Sequence, residues 1–280
     1  MSASGVSACS CNDPLTAMTA TSLSRPTTRR RSAWQRTWWA HPELTLAGVA
    51  VLAWVGVVGY HAVAATSPPA HMDMTHHGMG THSATPGFLQ SAVLWIVMAT
   101  AMMLPTALVE ARFIALNGKW NRRQRGQVLF AAAYLTVWSA AGVVMFAATW
   151  SLSPDITSLW ALSAAFAVAA AWELTRWKRH LLLGCHRLRA IPPTSRRADR
   201  ACVAEGLRNG LTCVGACGPM MASMVVAPHE GAVWLMIPLA GAIGVEKLLT
   251  KGVRYTRHVA AGLAGAALVV FGIALTSVFW

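Results

Sequence analysis

The stretch 209–224, "NGLTCVGACGPMMASM", decides how the rest of the chain is read. It is apolar enough to be part of a membrane helix. It also carries Cys213 and Cys217 four residues apart, followed by Met220, Met221 and Met224. Residues three and four apart are neighbours on a helix surface. Cys213, Cys217, Met220 or Met221, and Met224 therefore share one stripe. Gly215 and Gly218 thin the helix so that a neighbour can approach closely. Pro219 removes one backbone donor and loosens the turn around Cys217. Irregular backbone at membrane depth is tolerated where protein or a cavity surrounds it, so the stripe is expected to face a bundle interior.

The composition supports a membrane setting. The 280 residues are 55% hydrophobic and 12% charged, against about 25% charged in soluble domains. Seven apolar segments fall at about 44–65, 88–109, 128–150, 156–175, 209–228, 231–249 and 258–279. Their lengths suit helices crossing a hydrocarbon core of about 30 Å. The fold class expected is all-α: a polytopic helix bundle with seven transmembrane helices. Residues 1–43 read as a disordered basic cytosolic tail and 44–280 as the transmembrane domain, with an external loop at 66–87. The first segment ends in "AVAA" (62–65), which resembles a signal-peptide cleavage site. Its apolar run is long for such a peptide, and a retained helix is the reading adopted.

Charge placement sets the orientation. Counting Lys247, in the last turn of segment six, with the connection that follows it, all 23 Lys and Arg residues lie before the first segment or between segments two and three, four and five, and six and seven. With seven spans they occupy one face. The positive-inside rule puts that face and the N-terminus in the cytosol and the C-terminus outside. The net charge of +13 then reflects topology and contact with a lipid bilayer, and no nucleic acid is expected. A bacterial inner membrane is the expected location.

Two further groups of soft ligands stand out. The second segment holds Met98, Met102 and Met103 before Pro105. The loop 66–87 holds "HMDMTHHGMGTH", that is His71, Met72, Met74, His76, His77, Met79 and His82. Imidazole suits Cu(II) and thioether suits Cu(I), so such an arm can hold both. Thiolates also suit zinc, which wants a closed tetrahedral set with His or carboxylate. No His lies at mid-depth of any segment, so Cu(I) is the expected ion, with no haem and no nucleotide. Packing alone also accounts for buried Cys and Met, and that alternative stays open. Cys9 and Cys11 in the tail are a weaker pair.

Four acids recur at the cytosolic ends of segments: Glu110, Glu173, Glu205 and Glu246. Each has a basic residue one to three positions on (Arg112, Arg176, Arg208 and Lys247). Interfacial ion pairing is one reading of all four and the expected one for Glu205, with Glu110 and Glu246 as candidate proton relays. His229 and Glu230 form a short external turn.

These motifs resemble a bacterial family of predicted metal-binding integral membrane proteins, a domain of unknown function in which some members are labelled copper chaperones. The matching pieces are "MATAMMLP" (98–105), "WELTRWKRHLLLGCHR" (172–187), "GLTCVGACGPMM" (210–221) and Glu246-Lys247. The family has a second Cys directly adjacent in the third motif; here Ala216 stands in that place. Cys185 stands at the family's cysteine in the second motif. The resemblance implies copper capture and delivery to, or assembly of, a membrane cuproenzyme, or copper transport, with a periplasmic copper carrier as a further partner. A subunit of a membrane metal-dependent oxidoreductase, or a structural subunit without metal, are the alternatives, and whether the chain is an enzyme stays open.

Overall fold

The computed structural model describes residues 41–66, 88–152, 158–185, 187, 189, 192, 196–227, 232–249 and 254–279. Among them the secondary structure is wholly helical. The helices are α1 (Leu44–Thr66), α2 (Phe88–Met103), α3 (Leu108–Asn117), α4 (Arg123–Leu152), α5 (Leu159–Glu173), α6 (Arg176–Cys185), α7 (Arg196–Val226), α8 (Ala232–Leu248) and α9 (Thr256–Phe279). Each apolar segment of the sequence carries a helix.

Four stretches are long and apolar enough to cross a membrane: Leu44–Val63, Arg123–Thr149, Arg196–Val226 and Thr256–Ser277. A fifth candidate is the bent pair Leu89–Met103 and Pro105–Asn117, which turns by 44°. The bend falls within the apolar segment 88–109, at its proline. Pro105 has no amide hydrogen to donate back along the helix. The chain passes through a 3₁₀ turn at Pro105–Ala107 and continues as α3. Helix α5, with 15 residues, is a shorter apolar helix.

The sequence reading starts the fifth helix at 209, where apolar residues begin. The helix in fact starts at Arg196 and runs for 31 residues. At about 1.5 Å per residue it exceeds a hydrocarbon core, and its charged first half extends beyond the apolar part.

The main seam runs between α4 and α7. Gly206 and Gly210 make it possible. A Cβ on Gly206 would meet the Phe130 carbonyl oxygen at 2.4 Å, and one on Gly210 would meet Val137 at 2.9 Å. On the other face of α4, the Trp95 indole donates to the Trp138 carbonyl at 2.9 Å. Gly142 gives that ring its space, since a Cβ there would lie 2.1 Å from Trp95 Nε1. Helices α5 and α9 form a second pair, joined by the Ser163 hydroxyl donating to the Ala267 carbonyl. Large apolar residues such as Leu52, Val144, Val168 and Leu268 point outward, as a lipid-facing surface requires.

Charged segments from separate parts of the chain meet. Arg112 pairs with Glu43 at 3.3 Å, and Asp199 pairs with Arg122 and with Arg125. The start of α1, the α3–α4 connection and the start of α7 therefore share one end of the bundle.

Gly206→Ala should destabilise the protein by about 1–3 kcal/mol through overpacking, read as a lower unfolding midpoint by tryptophan fluorescence in detergent. Gly262→Ala on α9, where a Cβ meets nothing within 4 Å, should be neutral or slightly stabilising. Equal effects from both changes would show that the α4–α7 contact is not tight.

Candidate metal centre

The face of α7 that touches α4 continues directly into the sulfur stripe. Gly206, Gly210, Cys213 and Cys217 follow one another at steps of four, three and four, so they lie on one side. Cys213, Cys217 and Met221 have no solvent exposure, and Met220 and Met224 are buried with them. From α2, Met102 and Met103 are buried in the same core, and Met98 is partly buried against it. Both sulfur groups thus point inward.

Helix α2 does not run alongside α7. Side chains from α4 and α8 link the two instead. The Tyr134 hydroxyl of α4 lies 3.1 Å from Cys213 Sγ and 3.5 Å from the Met103 carbonyl oxygen. The Lys247 ammonium of α8 donates to Cys213 Sγ at 3.2 Å and to Thr106 Oγ1 at 3.3 Å. Thr106 in turn donates to the Met103 carbonyl at 2.8 Å. That carbonyl is within reach because the 3₁₀ turn after Leu104 interrupts the helical ladder. Lys247 Nζ also sits 5.7 Å from the centre of the Tyr134 ring, within cation–π range. Cys217 lies one turn along on the same buried face.

A second buried set holds α8 in rotation. Lys178 of α6 pairs with Glu173 at the end of α5, and with Glu246 at 2.7 Å. All three side chains are essentially inaccessible to solvent. Glu246 and Lys247 are adjacent and point in different directions. Fixing Glu246 on α6 turns Lys247 toward Cys213.

The local ion pair favoured from the sequence, Glu205 with Arg208, forms, while the other three acids do not pair with the basic residue that follows them. Arg112 turns to Glu43, Glu173 and Glu246 share Lys178, and Lys247 goes to a thiol. Helix neighbours one or two apart do not face each other, and the chain bends between Glu173 and Arg176. Glu205 and Arg208, three apart within one helix, do pair at 3.4 Å. Glu110 is buried, and its Oε2 has no hydrogen-bond partner.

Pro219 leaves a trace on the same helix. It cannot donate to the carbonyl four residues back, that of Gly215. The Trp172 indole of α5 donates to that oxygen at 3.1 Å. The helix stays continuous through the proline. The chain on the other side of Gly215 belongs to Leu181, 2.9 Å from where a Cβ would stand. Cys185 is buried and reaches Thr212 at 3.5 Å, one residue from Cys213.

Among the described residues, no three His, Cys, Asp or Glu side chains come together as a metal site. A closed zinc set of the ordinary kind is therefore not formed there. A metal in this core would be held by the two thiols with thioethers, a donor set that selects Cu(I). The arm residues His71, Met72, Met74, His76, His77, Met79 and His82 lie outside the described residues, as do Cys9, Cys11, His229 and Glu230.

Tyr134 and Thr106 are not picked out by the sequence, and Lys178 and Lys247 stand in its motifs without any sign that they reach a buried carboxylate pair or a thiol. The available signal was the rule that ionisable residues at membrane depth are functional until shown otherwise. Lys178 and Lys247 had been counted with the loops.

Residues 92–270 match a family model described as "PpoB2: Copper chaperone". No curated protein and no solved structure shows significant similarity to the chain.

Trp172→Phe should cost about 1–3 kcal/mol by stripping a buried carbonyl of its donor. In a Pro219→Ala background the restored amide can serve that carbonyl, and the same change should cost less. A double-mutant cycle in detergent measures the difference; strict additivity would show that Trp172 does not replace the missing amide.

Proposed function

Because the chain belongs to the PpoB2 copper-chaperone family, we propose that its α7 stripe is where it holds copper, as Cu(I), inside a seven-pass helical bundle. The observation that carries this reading is the buried Cys213–Cys217 pair with Lys247 and Tyr134 directed at one of its sulfurs. The thiolate is the form that ligates metal. A thiolate buried in a low-dielectric core needs a countercharge. Lys247 supplies one before copper arrives, and the cation supplies one afterwards. Met220, Met221 and Met224, with Met98, Met102 and Met103 from α2, offer thioethers to complete a two- or three-sulfur set.

Copper is the cargo in this reading. The His/Met arm at 71–82 captures it outside, and the bundle passes it to a membrane cuproenzyme or a periplasmic carrier. In this reading the charged end of the bundle faces the cytosol, and the membrane is a bacterial inner membrane. Support for that topology comes from Glu43–Arg112 and Asp199–Arg122/Arg125. These pairs gather at one end basic segments that an odd number of crossings between them would separate.

Anaerobic titration of the purified full-length chain against a chromogenic Cu(I) chelator tests the stripe. Cys213→Ser and Cys217→Ser should each abolish chelator-resistant Cu(I) binding by the bundle in a chain lacking 71–82. Cys202→Ser, in the first half of α7 beside Gly126 of α4, should not. Lys247→Met should weaken binding by about 10–100-fold, the range for groups that orient metal ligands. Unaltered binding in the two serine variants would remove copper from this face.

Deleting 71–82 alone should lower copper accumulation at limiting supply while leaving the buried site titratable. A reporter joined after Trp280 should be active only outside the cytosol. Activity in the cytosol would mean an even number of crossings.

A further inference from the structure

The three arginines Arg179, Arg254 and Arg257 converge on a cavity of about 300 Å³ at the start of α6 and the start of α9, together with Thr256. None of the three has a carboxylate partner among the described residues. Elsewhere on the charged end Arg112, Arg122, Arg125 and Arg208 do have one. Arg179 Nε is moreover buried with no hydrogen-bond partner. Three like charges sharing one cavity repel, and an unpaired buried donor adds a desolvation cost. The first turn of α9 contains no acidic residue, although the positive end of a helix dipole favours anions and disfavours arginine. A bound anion removes all three penalties at once.

The surroundings say which anion. Trp177, on α6 two residues before Arg179, is 73% exposed, and Tyr255 beside Arg254 is 43% exposed. Exposed Trp and Tyr mark the headgroup level of a membrane. Past this level α9 and α5 present Leu268, Val269, Phe271 and Val168 outward, a surface on which acyl chains can lie. Arginine is suited to phosphate by its fork of donors. We propose that Arg179, Arg254 and Arg257 form a binding site for the phosphate of an anionic phospholipid headgroup. The site is separate from the sulfur stripe and depends on the membrane setting, not on copper.

The full-length protein in neutral detergent tests this. Phosphatidylglycerol should bind and raise the unfolding temperature, and phosphatidylcholine of the same chains should not. Removing an arginine should weaken binding about five-fold each, from the roughly 1 kcal/mol that a basic residue contributes near an anionic surface. The triple change Arg179→Gln/Arg254→Gln/Arg257→Gln should thus lose phosphatidylglycerol binding. The triple change to Lys, which keeps the charge but not the fork, should keep part of it and controls for folding. Arg112→Gln/Lys119→Gln/Arg200→Gln removes the same charge from the same end and should bind nearly as wild type. Equal loss in both glutamine triples would overturn the site in favour of diffuse surface attraction. Inorganic phosphate matching the lipid's effect at equal concentration would overturn the lipid as its source.

Discussion

The close approach of α4 to α7 governs the site. Two glycines, Gly206 and Gly210, leave no side chain between the helices, so α7 rests against the Phe130 carbonyl and Val137. Lipid offers no hydrophobic drive for helices to associate, and small residues at the seam are what let them pack. The same face carries Cys213 one turn further on. At that separation a tyrosine on α4 can reach a thiol on α7 with its hydroxyl, as Tyr134 does. The glycines and the cysteines are thus one feature: the first pair sets the spacing, and the second is placed by it in a dry interior.

Buried charge imposes a second constraint. Lys178, Lys247, Glu110, Glu173 and Glu246 are all nearly inaccessible. An isolated ion in such a place costs many kcal/mol, and breaking a buried pair costs about 3–5 kcal/mol. The structure meets this with a carboxylate–ammonium–carboxylate set around Lys178 and with a thiol, a hydroxyl and an aromatic face around Lys247. The two sets are coupled because Glu246 and Lys247 are neighbours on α8. Rotating α8 to satisfy one group would unseat the other. This coupling orients Lys247 in a region where α7 and α8 share few other contacts.

Much of this was legible in the sequence for definite reasons. The helices follow from apolar length. The inward stripe follows from the spacing of Cys213, Cys217, Met220 and Met224 together with Pro219. The gathering of basic segments follows from their distribution. What was not legible is of another kind. Ion-pair partners depend on which helices touch, and proximity in sequence does not give those of Glu173, Glu246 and Lys247. The bend at Pro105 was visible as a proline but not as a device that frees the Met103 carbonyl for Thr106 and Tyr134. The charged half of α7 was invisible to hydropathy because its helix is held by Asp199 pairs and by packing on α4 rather than by lipid. Trp172 is the converse case. A proline in a membrane helix implies an orphan carbonyl, and a tryptophan elsewhere was available to serve it.

The order of ligands along α7 bears on direction. Thiols stand nearer the charged end, and thioethers continue away from it to Met224, about 16 Å further at 1.5 Å per residue. Thioethers are neutral and hold Cu(I) without a countercharge. A thiolate adds a negative charge and so a stronger grip in a medium of low dielectric. In the proposed reading, copper arriving from the side of the His/Met arm meets thioethers first and the Cys213–Cys217 pair last. In that reading the gradient would draw the ion inward along the sulfur face. Release then requires something that competes for the thiolate, and Lys247 is already in place to do so, since the ammonium that yields to copper can return as copper leaves. A chain with two alternative cations for one buried anion can hand over its cargo without leaving an uncompensated charge in the membrane, which suits a chaperone better than a store.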